Sequence, residues 1–357
     1  MCDVRPPRPH GPRRMRPAAA LSACTLLLAA CDIPTGLPRF ESRWVVPLST
    51  TRVGVGELLP SAVTVAGGRF HVSVPPGSGQ RTLGQMCGMP CAAFQGVVAP
   101  KPAFSDSFQV SSPLPAGLVA ATVESASVTV TLSHDLGFDP VRPEGRIEDG
   151  RLDVTIRNDG RVVGSAVIDQ PFPPGAPIAR TIDLAPGVMS GVLQASVAIV
   201  SPAGDPVAID NAAALTAHLV PVAMTLTEAE VSVQQREIEA QPVHLDLTGV
   251  DEDLRERVRN GALRLTLDNP FALSGSLELR LRAPASGADI VRAVQVSAGQ
   301  TTHVIALSRD EMRWLLGYDV EATLTGPVTA TGPSVTVRPD QEVTVTPRLD
   351  LVIEIGG

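Results

Sequence analysis

The stretch Gly261-Ala-Leu-Arg-Leu-Thr-Leu-Asp-Asn-Pro270 puts leucine at 263, 265 and 267, with Arg264, Thr266 and Asp268 between them. Apolar and polar residues that alternate with a period of two lie on opposite faces of a half-buried β-strand. Outward from this stretch the same beat recurs at Leu277/Leu279/Leu281, Val294/Val296, Val320/Ala322/Leu324, Val343/Val345 and Leu349/Leu351/Ile353/Ile355. Gly, Pro and Asn separate the runs, as turns require. The 357 residues include 33 Pro and 31 Gly and are 44% hydrophobic, which excludes a helical bundle and a wholly disordered chain alike. The pattern predicts an all-β protein built as tandem immunoglobulin-like β-sandwiches.

Tandem, because the sequence matches itself. Residues 150–159 align with 261–270, Gly164-Ser165 with Gly275-Ser276, and 178–187 with 290–299. This internal duplication predicts one sandwich over 119–230 and a second over 231–357. Residues 31–118 read as a small, irregular, loop-rich β region ahead of them. Within it, Val63 and Val65 precede Gly67-Gly68, and Phe70 and Val72 follow; a two-residue turn sets Val65 opposite Phe70. Pro90, Pro100, Pro102, Pro113 and Pro115 are expected to break any long element after Pro75. Two short helices are predicted in the second copy: 251–260, ending before Gly261, and 308–317, opened by the capping box Ser308-Arg-Asp-Glu311.

The amino terminus reads as an address. Arg5, Arg8, Arg13, Arg14 and Arg16 precede an uncharged run from Ala18 to Ala30. Thirteen residues of helix reach about 20 Å, short of the ~30 Å hydrocarbon core, so a signal peptide over 1–30 explains the run better than a membrane span. Leu28-Ala29-Ala30-Cys31 closely resembles the lipobox of bacterial lipoproteins; a second match at Leu21–Cys24 has too short an apolar run before it. The resemblance implies cleavage before Cys31, diacylglycerol on its thiol and a lipid anchor to a bacterial membrane of the cell envelope, inner or outer. The cleaved chain would keep 24 basic and 36 acidic residues, net −12, so lipid and not a polybasic patch is expected to hold it. The full chain, at −8, argues against a nucleic-acid partner.

Cys87 and Cys91 are then the remaining thiols, in Cys87-Gly-Met-Pro-Cys91. In an oxidising compartment they most simply form a disulfide that pins a turn. A redox pair usually has two residues between its cysteines and opens a helix, whereas Gly88 and Pro90 suggest a loop; a zinc site lacks its second pair.

The second copy also resembles the water-stress and hypersensitive-response (WHy) domain of group 2 late-embryogenesis-abundant proteins. The residues that carry this are Leu265-Thr-Leu-Asp-Asn-Pro270 and Val296-Ser-Ala-Gly-Gln-Thr-Thr302, within 261–317. It implies an immunoglobulin-like sandwich with a protective or scaffolding role and no catalysis.

Catalytic and metal residues are not expected, nor is a cofactor. Ser133-His134-Asp135 has the residue types of a nucleophilic triad, but neighbours on a strand face opposite ways. His71, His218, His244 and His303 stand singly. Asp251, Asp253 and Glu256 start like a calcium loop, but Arg255 falls where a ligand belongs. Gly77-Ser-Gly79 lacks the Lys-Ser/Thr of a phosphate loop. Lys101 is the one lysine beside 28 arginines, which reads as compositional bias. The expected role is a lipid-anchored, non-enzymatic structural or interaction module, with an envelope protein as partner. Carriage of a hydrophobic ligand and, least favoured, hydrolysis are the alternatives.

Overall fold

A computed structural model describes residues 39–240 and 242–355; the signal peptide expected over 1–30 and Cys31 lie outside them. The amino-terminal segment contributes β1 (Phe40–Pro47), β2 (Thr51–Gly54), β3 (Val63–Ala66), β4 (Arg69–Val72), β5 (Gly77–Thr82), helices α1 (Leu83–Cys87) and α2 (Met89–Ala92), β6 (Val98–Lys101) and β7 (Phe104–Pro113). The first half continues with β8 (Leu118–His134), β9 (Arg151–Asn158), β10 (Arg161–Ile168), β11 (Ile178–Leu184), β12 (Gly187–Ser190), β13 (Val192–Ser201), β14 (Gly204–Ala208) and β15 (Ala214–Val231). The second half holds β16 (Arg236–Glu239), β17 (Val243–Asp246), α3 (Glu252–Arg257), β18 (Val258–Asn269), β19 (Leu273–Ala283), β20 (Ala288–Val296), β21 (Gly299–Leu307), α4 (Arg309–Leu315), β22 (Asp319–Ala330), β23 (Val335–Val337) and β24 (Glu342–Ile355). The protein is all-β, as the alternation predicts.

Both halves share one strand order. In the first, a sheet β10-β9-β13-β7 faces a sheet containing β11-β8-β15; in the second, β20-β19-β22-β16 faces β21-β18-β24. Apolar side chains from the two sheets meet between them, for example Leu263 and Leu265 of β18 with Leu279 of β19 and Leu324 of β22. The structural equivalences are therefore β8 with β18, β9 with β19, β10 with β20 and β11 with β21. The sequence self-match is one strand out of step, because it sets β9 on β18. Period-two alternation is common to every half-buried strand, so a match built on it does not identify which strand corresponds to which. Sheet order does: β9 lies between β10 and β13 as β19 lies between β20 and β22. Gly150, just before β9, and Gly275 on β19 are both pressed against the neighbouring strand. A Cβ on Gly150 would strike the Val200 carbonyl of β13, and one on Gly275 the Pro327 carbonyl of β22.

The amino-terminal segment is not a separate region in front of the sandwiches. β15 pairs with β8 along one edge, and its other edge is covered in succession by β5, β4 and β23. β24 pairs with β18, and its outer edge is covered by β2 and β1. Strands from residues 40–82 thus complete sheets in both halves. β7, ten residues long despite the surrounding prolines, is the edge strand of the first half's outer sheet, with Pro113 at its end where a missing N–H costs nothing. A boundary at 118 cuts through that sheet.

Local predictions fare unevenly. The hairpin turns at Gly67-Gly68, both left-handed (φ 58° and 70°), with Val65 opposite Phe70 as expected. The capping box at Ser308 is present: Glu311 N donates to Ser308 Oγ at 3.3 Å and Ser308 N to Glu311 Oε2 at 2.9 Å. Helix α3, capped by Asp251, stops at Arg257; Val258 instead pairs with Ile353, because burial in the sheet outweighs one more helical turn. Residues 83–87 and 89–92 are helical where a loop is expected, since Thr82 and Gln85 form another capping box and Pro90 falls in the first turn of α2, where its absent N–H is harmless.

Gly150→Ala and Gly275→Ala should each destabilise the protein by about 1–3 kcal/mol, since backbone must shift to admit the methyl group. Chemical denaturation of the two variants checks this, and parental stability in either would mean that strand is not so closely packed.

Candidate functional site

The buried polar chemistry of the described residues concentrates where β6 hands over to β7. Lys101, the last residue of β6, is 1% exposed. Its Nζ donates to Ser201 Oγ at 2.8 Å, to the Pro102 carbonyl at 3.4 Å and to the Pro202 carbonyl. The rings of Phe104 and Phe138 lie 5.1 and 5.0 Å from the ammonium. Ser201, at the end of β13 and equally buried, passes its own proton to the Pro140 carbonyl at 2.6 Å. The chain around 138–140 is held in turn by Asp139, whose carboxylate accepts from the Val141, Arg142 and Phe172 amides at 2.7–2.8 Å.

An ammonium removed from water is disfavoured against the neutral amine, and burial pulls Lys101 down to about 8, opposed in part by the charge of Asp139. Hydrogen bonds and two aromatic faces keep the cation tolerable at neutral pH. A Lys–Ser pair at 2.8 Å also has the composition of a nucleophile and its base. Here the hydroxyl donates to a carbonyl and the ammonium donates to the hydroxyl, so no lone pair on nitrogen is free to take a proton. The open groove of about 390 Å³ beside it, lined by Ala103, Gly145, Glu148, Pro202 and Asp205, is reached by neither side chain. The arrangement is a clamp that ties β6 and β7 to β13 and the 138–140 turn. Sequence reading passed over Lys101; the signal available was its solitude among arginines.

The remaining candidates fall out as follows. His134 is buried at the end of β8; its Nε2 donates to the Phe172 carbonyl at 2.7 Å and its ring meets Phe172 edge-on at 4.3 Å. Burial lowers its pKa, and Nδ1 has no partner. Asp135 accepts from the Ala214 amide, so Ser133, His134 and Asp135 do not converge. His244 pairs with Asp319 at 3.0 Å on the surface, and His303 faces inward from β21 with Nε2 unpartnered. Asp251 serves as a helix cap, accepting from Leu254 N. Gly77 and Gly79 are explained by the close approach of β5 to Ser111 and Val110 of β7. Cys87 and Cys91 are joined in a disulfide with Cα atoms 5.6 Å apart, and Gly88 between them is left-handed at φ 63°. Among the described residues no three His, Cys, Asp or Glu side chains gather as metal ligands, and no helix is long and apolar enough to cross a membrane. Cys31 lies outside the described residues.

No family model and no curated protein matches the chain. Among solved structures it is similar to a protein of Parabacteroides distasonis described as secreted, at 11% identity over 87% of this chain and 99% of that one, with a TM-score of 0.37. Structures of infectious bursal disease virus (Gx strain) align over 89% of this chain and 72% of theirs at 9% identity and a TM-score of 0.20. Likenesses of this size establish neither a shared fold nor a shared role.

Replacing the caged lysine tests the clamp. Lys101→Arg should cost about 2–4 kcal/mol, because a planar fork does not fit a cage shaped for a point charge. Lys101→Met strands the Ser201 hydroxyl and two carbonyls and should cost about 1–3 kcal/mol at pH 7. The folded pKa near 8 lies below the unfolded one near 10.5, so the unfolded chain holds more protons between these values. The parent should therefore gain stability over Lys101→Met as pH rises through that window, by up to about 3 kcal/mol. Urea unfolding at pH 7, 9 and 10 measures the difference; a constant gap would overturn the lowered pKa.

Proposed function

We propose that the protein is a lipid-anchored component of a bacterial cell envelope, attached through Cys31, and that it works without catalysis as a structural or interaction module. The observation that carries this reading is how soon the chain after Cys31 is built into the sheets. Nine residues beyond it, β1 begins and pairs with β24 at eight successive positions. By Thr82 the chain has added strands to β24 and to β15, so both halves are engaged before the first sandwich is under way. A pull at Cys31 would reach the fold through β1 and its ladder to β24. Such a connection suits a module that must stay upright on a tether.

The closed Lys101 clamp fits a role without chemistry, and the resemblance of 261–317 to the WHy domain fits a protective or scaffolding one. Carriage of lipid between the sheets is poorly supported. Two apolar cavities in the second half, sharing Ala240, Leu324 and Val345, measure about 40 and 30 Å³. That is room for two or three waters each, against several hundred Å³ for a small-molecule pocket.

Mass spectrometry of the amino terminus of protein taken from its native membrane should find Cys31 first and acylated. Cys31→Ser should remain unacylated and leave the detergent phase on temperature-induced partition. A native chain beginning elsewhere, with a free thiol at Cys31, would overturn the anchor.

A further inference from the structure

The sequence contains two tryptophans, and both stand half-exposed at one end of the second half. Trp44 lies on β1. Its row across the sheet runs Trp44–Leu351–Gly261–Leu307, and α4 starts two residues beyond Leu307 and rests Met312 against Gly261. Trp314, on α4, is 50% exposed, while its neighbours Met312 and Leu315 turn inward. Phe40 opens β1 at the same end and is 55% exposed.

The position of Phe40 and Trp44 is unusual for a sandwich. Residues directly opposite one another on antiparallel strands point to the same face. Trp44 is opposite Leu351, and Ser42 and Val46 are opposite Ile353 and Leu349, all three partners buried. Phe40, Trp44 and Val46 therefore belong to the inward face of the sheet. Val46 packs on the core, whereas Phe40 and Trp44, on the outermost strand of that sheet, stay exposed. The result is an aromatic ledge.

We infer that this ledge, with Trp314, lies against the lipid bilayer and sets the orientation of the protein on it; the inference rests on the anchoring reading at Cys31. Reach is the argument for that occupant. Phe40 stands nine positions beyond Cys31, and fully extended that stretch spans at most about 30 Å. The start of β1 is thus the described part of the protein held nearest to the acyl chains. Tryptophan is the side chain best suited to the boundary between hydrocarbon and headgroups, where the ring is buried and its N–H stays wet.

The test uses Trp44 as its own reporter. Protein starting at Asp32 is given an amino-terminal histidine tag and bound to phosphatidylcholine vesicles carrying a nickel-chelating lipid, with or without brominated acyl chains. In Trp314→Phe, Trp44 emission should shift to shorter wavelength on binding and fall at least two-fold in the brominated vesicles. Trp44→Phe should show the same for Trp314. A Val188→Trp reporter on β12 of the first half, added to the double Phe variant, should be unaffected. Unquenched Trp44 in the tethered protein overturns the inference, as does equal quenching at position 188, and emission that changes only with protein density on the vesicle points instead to a second copy. Because the tag supplies the tether, quenching together with an unacylated native Cys31 would sink the anchoring reading alone and leave the membrane-facing ledge standing.

Discussion

The outer edges of β15 and β24 need hydrogen-bonding partners, and the fold draws most of them from residues 40–82. These strands are eighteen and fourteen residues long, and each carries a sandwich's inner sheet. Left bare, such edges would template pairing with other chains. The sequence spends four strands on them, β1 and β2 on β24 and β4 and β5 on β15, and β23 of the second half covers the last three residues of β15. A consequence is that the halves are not independent. Arg236, at the start of the second half, donates to the Glu57 and Leu59 carbonyls at 2.7 and 2.6 Å, which ties the passage between β2 and β3 to β16. The β1–β24 ladder joins residues at opposite ends of the chain, and the loop it closes must be ordered before the pairing rewards it. It is the natural last step of folding.

The same logic explains the lysine cage. Between β5 and β8, which both pair with β15, the chain crosses to the facing sheet and returns. It does so through β6, which pairs only with β14, and through β7, which lies on the edge beside β13. Lys101 sits at that crossing and binds three segments at once, with a compact ammonium that fits among carbonyls and two rings. A chain that uses arginine 28 times and lysine once has placed the lysine where a guanidinium would not fit.

What could be read in advance follows from the range of the interactions. Gly67-Gly68 and Ser308–Glu311 specify their local structure within four residues, and these features appear where their residues put them. The face of each strand was equally legible, because alternation is local. Strand partners were not. β18 and β9 share a pattern yet occupy different positions in their halves, and only the facing strand decides between them. Nothing local in Arg43-Trp44-Val45 announces that this run will pair with residues 350–352. The Lys101 site was hidden for the same reason: Lys101, Phe138 and Ser201 are brought together by sheet order alone.

Charge explains why contact with a membrane would have to be apolar and tethered. From Cys31 onward the chain is net −12, and an anionic surface would repel it as a whole. At the aromatic end the nearby charges largely cancel in pairs: Glu354 lies between Arg39 and Arg259, Glu252 meets Arg255 at 3.1 Å, and Glu311 meets Arg292 at 2.5 Å. Beyond the screening length of about 8–10 Å, what remains of the repulsion is weak. Two or three exposed rings would not hold a free protein on a bilayer, but the proposed tether at Cys31 would raise their effective concentration to the millimolar range. Under that condition a weak contact suffices to choose an orientation, and the lipid needs only to prevent escape.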